Sequence, residues 1–291
     1  MPHYLKHHFD PDFDHTRLRP KEDGRGQVDH YNLGYVQNVI KDQVLVEILD
    51  MGEDESRTLD PRFILPEPKL PAGPKTYVNP EKPHQLLAGV NGYVLYEDGL
   101  IRVREVLNIR RSVDFHTGNV VFVGDVAVHG RVRSGFQVQG RNVLVKDNIQ
   151  DATVTAQQNL KAEAGVLGGS SAQLKAGASI HAPFISNCQV LAGENLVVDG
   201  PLMHSVSYVR KQVSVKGRLQ GGGVYSNGTV LVRDQIGGGG STVTSVVLGM
   251  DPFLMLKAEI LDEKIQETHM RLSRNKRMIT QHPELEEECA G

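Results

Sequence analysis

The sequence lacks tryptophan, and aromatic residues make up only 5% of its 291 positions. It has two cysteines, Cys188 and Cys289, too few for a disulfide framework, which favours a reducing compartment. No apolar run is long enough to cross a membrane, and residues 1–16 show no signal-peptide pattern. The formal net charge of -3 provides no general attraction to nucleic acid. We therefore expect a soluble cytoplasmic protein without membrane insertion or nucleic-acid partners.

What the sequence does contain is an apolar residue at a nearly constant interval. The first ladder, with steps of 17, 17, 20, 16, 17 and 17 residues, consists of Val126, Val143, Leu160, Ile180, Leu196, Val213 and Val230. A second ladder, two residues later and so on the same face of a short strand, consists of Val128, Val145, Ala162, Ala182, Val198, Val215 and Val232. A sandwich of alternating strands does not keep one interval over this length, so the repeat predicts a solenoid.

Two further ladders complete each repeat. The third consists of Val132, Ile149, Val166, Ile185, Leu202, Leu219 and Ile236, and the fourth, less regular, of Val138, Val154, Leu174, Val190, Val206 and Val224. Each period therefore closes one coil. The predicted fold is mainly β: a single-stranded parallel β-helix of about seven coils, with a small N-terminal β domain and a C-terminal α-helix.

The chain divides into four predicted parts. Residues 1–30 are charged and poor in large apolar groups, which predicts a flexible segment. Residues 31–111 form a small β-rich domain, in which the proline-rich stretch 61–83 is an extended linker. Its strands are indicated by two alternating sets, Val44, Val46 and Ile48, then Ile101, Val103, Leu107 and Ile109. The β-helix occupies 112–249, and a helix with its tail occupies 250–291.

The C-terminal helix has a clear start signal. Asp251 followed by Pro252 predicts an N-cap and a first-turn proline, and the helix should run to about Thr280. Its apolar positions fit a heptad and are Leu254, Ala258, Leu261, Ile265, Leu272 and Ile279. This seam predicts either a dimer, weakened by Thr268 and Asn275 on the seam, or packing of the helix on its own solenoid.

No metal or cofactor site is predicted. His3, His7 and His8 could bind a metal if the segment were helical, since positions 3 and 7 would then share a face, but no carboxylate or cysteine is placed to complete a metal shell. The glycine runs 221–223 and 237–240 lack the lysine and hydroxyl residue of a phosphate-binding loop. Tight turns explain them better.

Catalysis is weighed because parallel β-helices include enzymes acting on polysaccharide or acyl substrates. The residues of one outward column alternate in charge without forming a carboxylate pair, which favours salt bridges between coils; they are His129, Lys146, Glu163, Pro183, Asp199, Lys216 and Arg233. His204 is the best single candidate for a base, but spacing assigns it no partner. A basic cluster interspersed with Asp125 and Asp147 indicates a solvated face and consists of Arg131, Arg133, Arg141 and Lys146. We assign no catalytic residue, and a β-helix enzyme remains the alternative.

Several segments resemble the flagellar assembly protein A family, a bacterial group with a central β-helix. The segments are Thr117 to Val126, Pro183 to Cys188, Met203-His204-Ser205, Leu219 to Gly222, Ile236-Gly237 with Thr242 and Thr244, and Leu248 to Pro252. The chain departs from the family pattern at Ser186, where Glu is usual, and at Cys188, where Ala is usual. The resemblance covers about residues 70–252.

The resemblance transfers no active site, since the molecular activity of the family is poorly defined and no catalytic residues are attributed to it. The motif residues to which we give structural roles are Gly118, Asn119, Phe184, Asn187, His204, Ser205, Gly221, Gly222, Gly249, Asp251 and Pro252. We expect a scaffold or interaction protein linked to flagellar assembly or cell-envelope organisation, with protein partners of unknown identity. Capping of both coil ends, by residues before 112 and by the helix, predicts discrete particles; the alternative is end-to-end polymerisation.

Overall fold

The computed structural model describes residues 3–22, 28–50, 59–238 and 242–281. Part of the predicted segment 1–30, the end of the second glycine run, Cys289 and the tail after the helix lie outside these ranges. The strands before the solenoid are β1 (His3–His7), β2 (Lys21–Glu22), β3 (Val28–Asp29), β4 (Asn38–Val39), β5 (Val44–Asp50), β6 (Ile64–Leu65), β7 (Thr76–Val78), β8 (Gln85–Ala88), β9 (Gly92–Glu97) and β10 (Leu100–Arg104).

The N-terminal strands form antiparallel sheets with a core of their own. One sheet has the order β6-β1-β5-β8-β7 and another the order β10-β9-β4, while β2 and β3 pair separately. Their shared core consists of Leu5, Val39, Leu45, Val46, Ile48, Phe63, Leu86, Ala88, Val94, Ile101 and Val103. Packing of these side chains explains the strands that alternation predicted around Val46 and Val103.

Two expectations for this region are wrong. Residues 1–30 are not uniformly flexible, because β1 lies inside the first sheet and buries Leu5 to 2% exposure. The stretch 61–83 is not an extended linker, because it contains a 3₁₀ helix (Pro61–Phe63) and the sheet strands β6 and β7. Asp60 caps that short helix by accepting a hydrogen bond from the Arg62 backbone N–H. Tertiary contacts therefore order segments whose composition alone indicates loops.

The remaining strands form a parallel solenoid with three faces. The first face has the order β11 (Val106–Ile109), β13 (Asp125–Val128), β15 (Val143–Val145), β18 (Leu160–Ala162), β21 (Ile180–Ala182), β24 (Asn195–Val198), β26 (Gln212–Val215) and β28 (Thr229–Val232). The second face contains β16 (Ile149–Gln150), β19 (Val166–Leu167), β22 (Ile185–Ser186) and β29 (Gln235–Ile236). The third face contains β12 (Val120–Val121), β14 (Gln137–Gly140), β17 (Thr153–Ala156), β20 (Gln173–Ala176), β23 (Gln189–Ala192) and β30 (Thr244–Leu248). Two long strands join the second and third faces, β25 (Leu202–Val209) and β27 (Arg218–Ser226).

The ladders stack as predicted. Val143 pairs with Val126 on one side and Leu160 on the other, and the first ladder continues in register to Val230. The third ladder runs from Val132 to Ile236 in the same way. Most of these side chains are buried in one continuous interior. The parallel β-helix is therefore confirmed.

Three details of the solenoid differ from the prediction. The first face has eight strands, not seven, because β11 stacks under β13. Leu107 and Ile109 therefore belong to the solenoid core, although they lie five and three residues before the boundary expected at 112. In the fourth ladder Val206 is misplaced, since Val190 pairs with Ser207, and Ser207 pairs with Val224.

A ladder of polar side chains, which the sequence analysis missed, runs along one bend of the solenoid. It consists of the residues just before the first apolar ladder, Asp125, Asn142, Asn159, Ser179 and Asn195. The Asn142 side chain donates to Asp125, and its oxygen accepts from the Asn159 backbone N–H at 3.1 Å. Such bonds satisfy backbone groups that no strand partner reaches at the bend.

The N-terminal domain lies over the first coil, as expected. Tyr35, Val36 and Tyr93 pack against the solenoid core. The Asn38 side chain donates to the Val121 carbonyl at 2.8 Å and accepts from the Val123 N–H at 3.1 Å. The domain thus supplies both apolar cover and hydrogen bonds to the edge of the coil.

The helix α1 spans Pro252–Gln281, which confirms the predicted start and end to within one residue. The Phe253 N–H donates to the Asp251 carboxylate at 2.9 Å, so Asp251 is the N-cap. The expected folding of the helix over the last coil is wrong: α1 begins beside Arg210 on the flank of the rod. Ile236 and Leu248 of the last coil are 57% and 52% exposed.

Candidate functional site between the solenoid and the helix

A column of left-handed backbone residues follows the second face of the solenoid. Its members lie two positions after residues of the third ladder and are Asp151, Asn187, His204, Gly221 and Gly238, with φ of 37°, 52°, 48°, 69° and 88°. Glycine adopts this conformation freely, and Asn and Asp tolerate it better than most residues. The column explains why Asn187, His204 and Gly221 recur as motif residues, since each turns the chain at the same bend.

Ser205 and Gly222 support this column. The buried Ser205 hydroxyl accepts from the Cys188 N–H at 3.1 Å and donates to the Met203 carbonyl at 2.7 Å. Gly222 has φ +80° and lies so close to the Ser205 backbone that a β-carbon would collide with it. Both positions therefore hold adjacent coils together.

The helix is anchored beside this column. The Tyr208 hydroxyl donates to the Glu259 carboxylate at 2.5 Å, and its ring stacks on Tyr225 with centroids 5.0 Å apart. Arg210 lies over the Phe253 ring at 4.9 Å and 3.8 Å from the Asp251 carboxylate. These contacts fix the first turns of α1 against the solenoid, whereas the side chains from Lys257 onward are exposed wherever they are described.

Between the helix and the column lies an open groove of about 420 Å³, which we call the flank groove. It is polar, and the side chains that give it chemical character are Ser170, Asn187, Gln189, His204, Glu259 and Glu263. Burial raises the pKa of Tyr208, and its hydrogen bond to Glu259 adds to the shift, so the phenol stays protonated. The groove thus presents hydrogen-bonding groups and carboxylates to solvent.

Nucleophilic chemistry has little support in the flank groove. Burial raises the pKa of Cys188 to about 12, so its thiol stays neutral and inert. Within the described residues, no carboxylate or hydroxyl hydrogen-bonds the His204 ring. The partner acid that sequence spacing did not assign to His204 is thus not found in this part of the chain.

The other motif residues lie elsewhere. Gly118, with φ +67°, allows the backbone carbonyl of Tyr31 to approach, and the Asn119 side chain accepts from the Gln137 N–H at 2.9 Å. Phe184 packs over Gly165, and Gly249, with φ +86°, makes the turn before the helix. Sequence reasoning missed several groove residues, because nothing in their spacing links the solenoid to the helix; they are Ser170, Gln189, Tyr208, Glu259 and Glu263.

The remaining sequence candidates are separated or paired. The three N-terminal histidines are not on a helix, since His3 and His7 lie on β1 and His3 contacts Asp50 at 2.8 Å. In the described part of the chain, no group of three or more His, Cys, Asp or Glu side chains is arranged to hold a metal ion.

Charged residues on the outer faces form the salt bridges expected between coils. In the outward column, Lys216 contacts Asp199 of the preceding coil at 2.7 Å, and His181 reaches the same carboxylate at 2.7 Å. Salt bridges between coils do not involve every residue of the column, because Glu163 pairs with Lys161 of its own coil at 3.3 Å. In the basic cluster, ion pairs join Arg141 to Asp125 at 2.8 Å and Arg131 to Asp147 at 3.2 Å.

Comparison with known proteins gives one match. The family model described as the flagellar assembly protein A beta solenoid domain matches residues 105–290, more than half of the chain. No curated protein and no solved structure matches. Among the described residues, no helix combines the length and the apolar character needed to span a bilayer. The match begins just before β11, where the structure places the first coil. Because the matched residues make up more than half of the chain, the chain belongs to the flagellar assembly protein A family.

Proposed function

We propose that this chain is a non-catalytic cytoplasmic scaffold that binds a protein partner in flagellar assembly or cell-envelope organisation. The family assignment supports the flagellar alternative, since the family is described by that role. The rod itself supports the scaffold role, because stacked coils provide a long, rigid and regular surface.

The observation that carries the proposal is the flank groove. Amide, hydroxyl, imidazole and carboxylate groups from neighbouring coils and from α1 converge on one open space. The Glu259 carboxylate already accepts a hydrogen bond from the Tyr208 hydroxyl, and Glu263 adds a second carboxylate to the groove. A partner segment carrying arginine or lysine would find charge-assisted hydrogen bonds there.

Affinity capture from the native cytoplasm tests the proposal. The immobilised full chain should retain a defined set of flagellar or envelope proteins, identified by mass spectrometry. A variant with Glu263→Lys and Gln189→Lys should retain them at least about tenfold less, because both changes place positive charge in the groove.

The matched control is Glu81→Lys, which reproduces the Glu263→Lys charge reversal at an exposed position of the N-terminal domain. It should leave capture unchanged. Retention of no flagellar or envelope protein, or equal loss in the control and the groove variant, would contradict the proposal. Turnover of a polysaccharide or acyl donor that disappears in His204→Ala would replace the scaffold by the enzyme alternative.

A further inference from the structure

The first turns of α1 direct one face of the helix toward the solenoid. The residues that line the flank groove are Leu256, Glu259, Ile260 and Glu263. In the heptad that contains the seam, these residues occupy the b, c and f positions, on the side of the helix opposite to a and d. The seam therefore points away from the protein's own rod, and the expected packing of the seam on the solenoid is wrong.

The seam is apolar and uncovered. Leu254, Leu261, Ile265 and Leu272 are 65%, 58%, 53% and 50% exposed. A row of large apolar side chains repeating every seven residues fits one kind of partner surface, a second helix whose seam has the same repeat. Within the described residues α1 is the only α-helix, so no described segment of the same chain supplies a partner helix. We therefore look for the partner in a second molecule.

Charge along the helix indicates which molecule this is. Residues 252–267 carry four carboxylates and two lysines, a net charge of -2, whereas residues 268–281 carry four basic residues and no carboxylate, a net charge of +4. The helix is thus self-complementary when a second copy runs in the opposite direction. A parallel pair would place like-charged halves together.

We propose that two copies of this chain associate through an antiparallel pair of α1 helices. When Leu261 faces Leu272 of the second copy, the same register places Ile265 opposite Thr268 and Ala258 opposite Asn275. The two helices then overlap along their whole length, from Pro252 to Gln281. Each polar seam residue meets an apolar residue, and Asn275 meets the small Ala258, which leaves room for its amide.

Charged residues flanking the seam do not decide the orientation. The antiparallel register brings Asp262 near His269 of the second copy and Lys264 near Arg271. A parallel pair brings Lys257 near Asp262, Lys264 near His269 and Arg271 near Lys276, so each orientation contains a contact between like charges. The opposite net charges of the two halves therefore favour the antiparallel arrangement.

Sedimentation or light scattering of the full chain tests the association. We expect a particle of twice the 32.1 kDa chain mass. Leu261→Asn should halve that mass, because the Leu261 and Leu272 layer occurs twice in the antiparallel pair. The matched control is Met270→Asn, which removes an apolar side chain of 67% exposure from the f position, off the seam, and should leave the dimer intact.

Disulfide trapping tests the direction. In a Cys289→Ser background, with Cys188 only 4% exposed, a mixture of Leu261→Cys and Leu272→Cys chains should cross-link, and either chain alone should not. A monomer at all concentrations, a mass that grows without limit, or self-cross-linking of Leu261→Cys chains would each overturn the antiparallel dimer. Equal dissociation of the Leu261→Asn and Met270→Asn variants would also overturn it.

Discussion

At the scale of single residues, the most unusual position in the solenoid is Ser207. It stands between Val190 and Val224 in the apolar interior, is fully buried, and its hydroxyl has no hydrogen-bond partner in the described part of the chain. A buried hydroxyl without a partner costs stability. We expect Ser207→Ala to raise the free energy of unfolding by about 1 kcal/mol, measured by urea denaturation.

Ser205 provides the matched control, two positions earlier and equally buried. Its hydroxyl makes the two hydrogen bonds to Cys188 and Met203, so Ser205→Ala should lower the free energy of unfolding by roughly 1 to 2 kcal/mol. If both variants were destabilised alike, the unpaired state of the Ser207 hydroxyl would not be the cause.

A second residue-scale prediction concerns His7. Its ring packs against Phe63, with centroids 4.3 Å apart, and against Phe9 and Tyr96, and its Nε2 is buried without a partner. This burial lowers the pKa of His7 below the usual 6.5, although a hydrogen bond with the Leu5 backbone and the charge of Asp12 oppose the shift. Between the lowered pKa and 6.5 the unfolded chain binds more protons than the folded chain, so stability should fall as pH decreases below 6.5.

Unfolding of the N-terminal domain between pH 8 and pH 5 measures this effect. The wild type should lose stability over the acidic part of that range, and His7→Phe should lose less, because phenylalanine fits the aromatic cluster and does not titrate. His30→Phe, at an exposed position, is the control and should follow the wild type. A His7→Phe profile identical to that of the wild type would contradict the assignment.

Single residues also show the limits of sequence reasoning. Ile185 to Val190 and Leu219 to Val224 are both steps of five, and the same step from Leu202 leads to Ser207. Hydrophobicity alone favours the neighbouring Val206, whereas constant spacing favours Ser207. The hydrogen bond from Tyr208 to Glu259 had no comparable signal, since 51 residues separate the partners.

At the scale of elements, the stacked strands depend on their inward residues. Leu160 is 1% exposed between Val143 and Ile180, whereas its neighbour Lys161 points outward. Leu160→Ala should lower the free energy of unfolding by roughly 2 to 5 kcal/mol, because it removes buried contacts and leaves a cavity. Lys161→Ala should change it by less than about 1 kcal/mol, since an exposed ion pair contributes little. Similar effects of the two substitutions in thermal unfolding would exclude the inward ladder.

Elements with a strong local signal were predictable, and those held by tertiary contacts were not. The helix starts with its own cap at Asp251, and the solenoid strands repeat one pattern, so both follow from the sequence. Strand β1 buries only Leu5 and carries polar residues around it. It exists because β5 and β6 pair with it on either side, which no local pattern of residues 1–30 indicates.

At the scale of the whole molecule, the two ends of the rod differ. The N-terminal domain covers the first coil with Tyr35 and Tyr93, whereas apolar side chains of the last coil, such as Leu248, are exposed in the described structure. A covered end cannot accept another rod, which disfavours head-to-tail polymerisation. Discrete particles are therefore expected, in agreement with a closed pair formed through α1.

The cover on the first coil depends on Asn38, whose amide bonds both the Val121 carbonyl and the Val123 N–H. Asn38→Ala should speed hydrogen exchange of the Val123 amide by about fivefold or more, since each lost bond is worth about 1 kcal/mol. Asn91→Ala, which removes a bond to the Lys41 N–H inside the same domain, should leave that amide unchanged. Unchanged exchange at Val123 in the Asn38→Ala variant would mean that apolar contacts alone hold the domain on the rod.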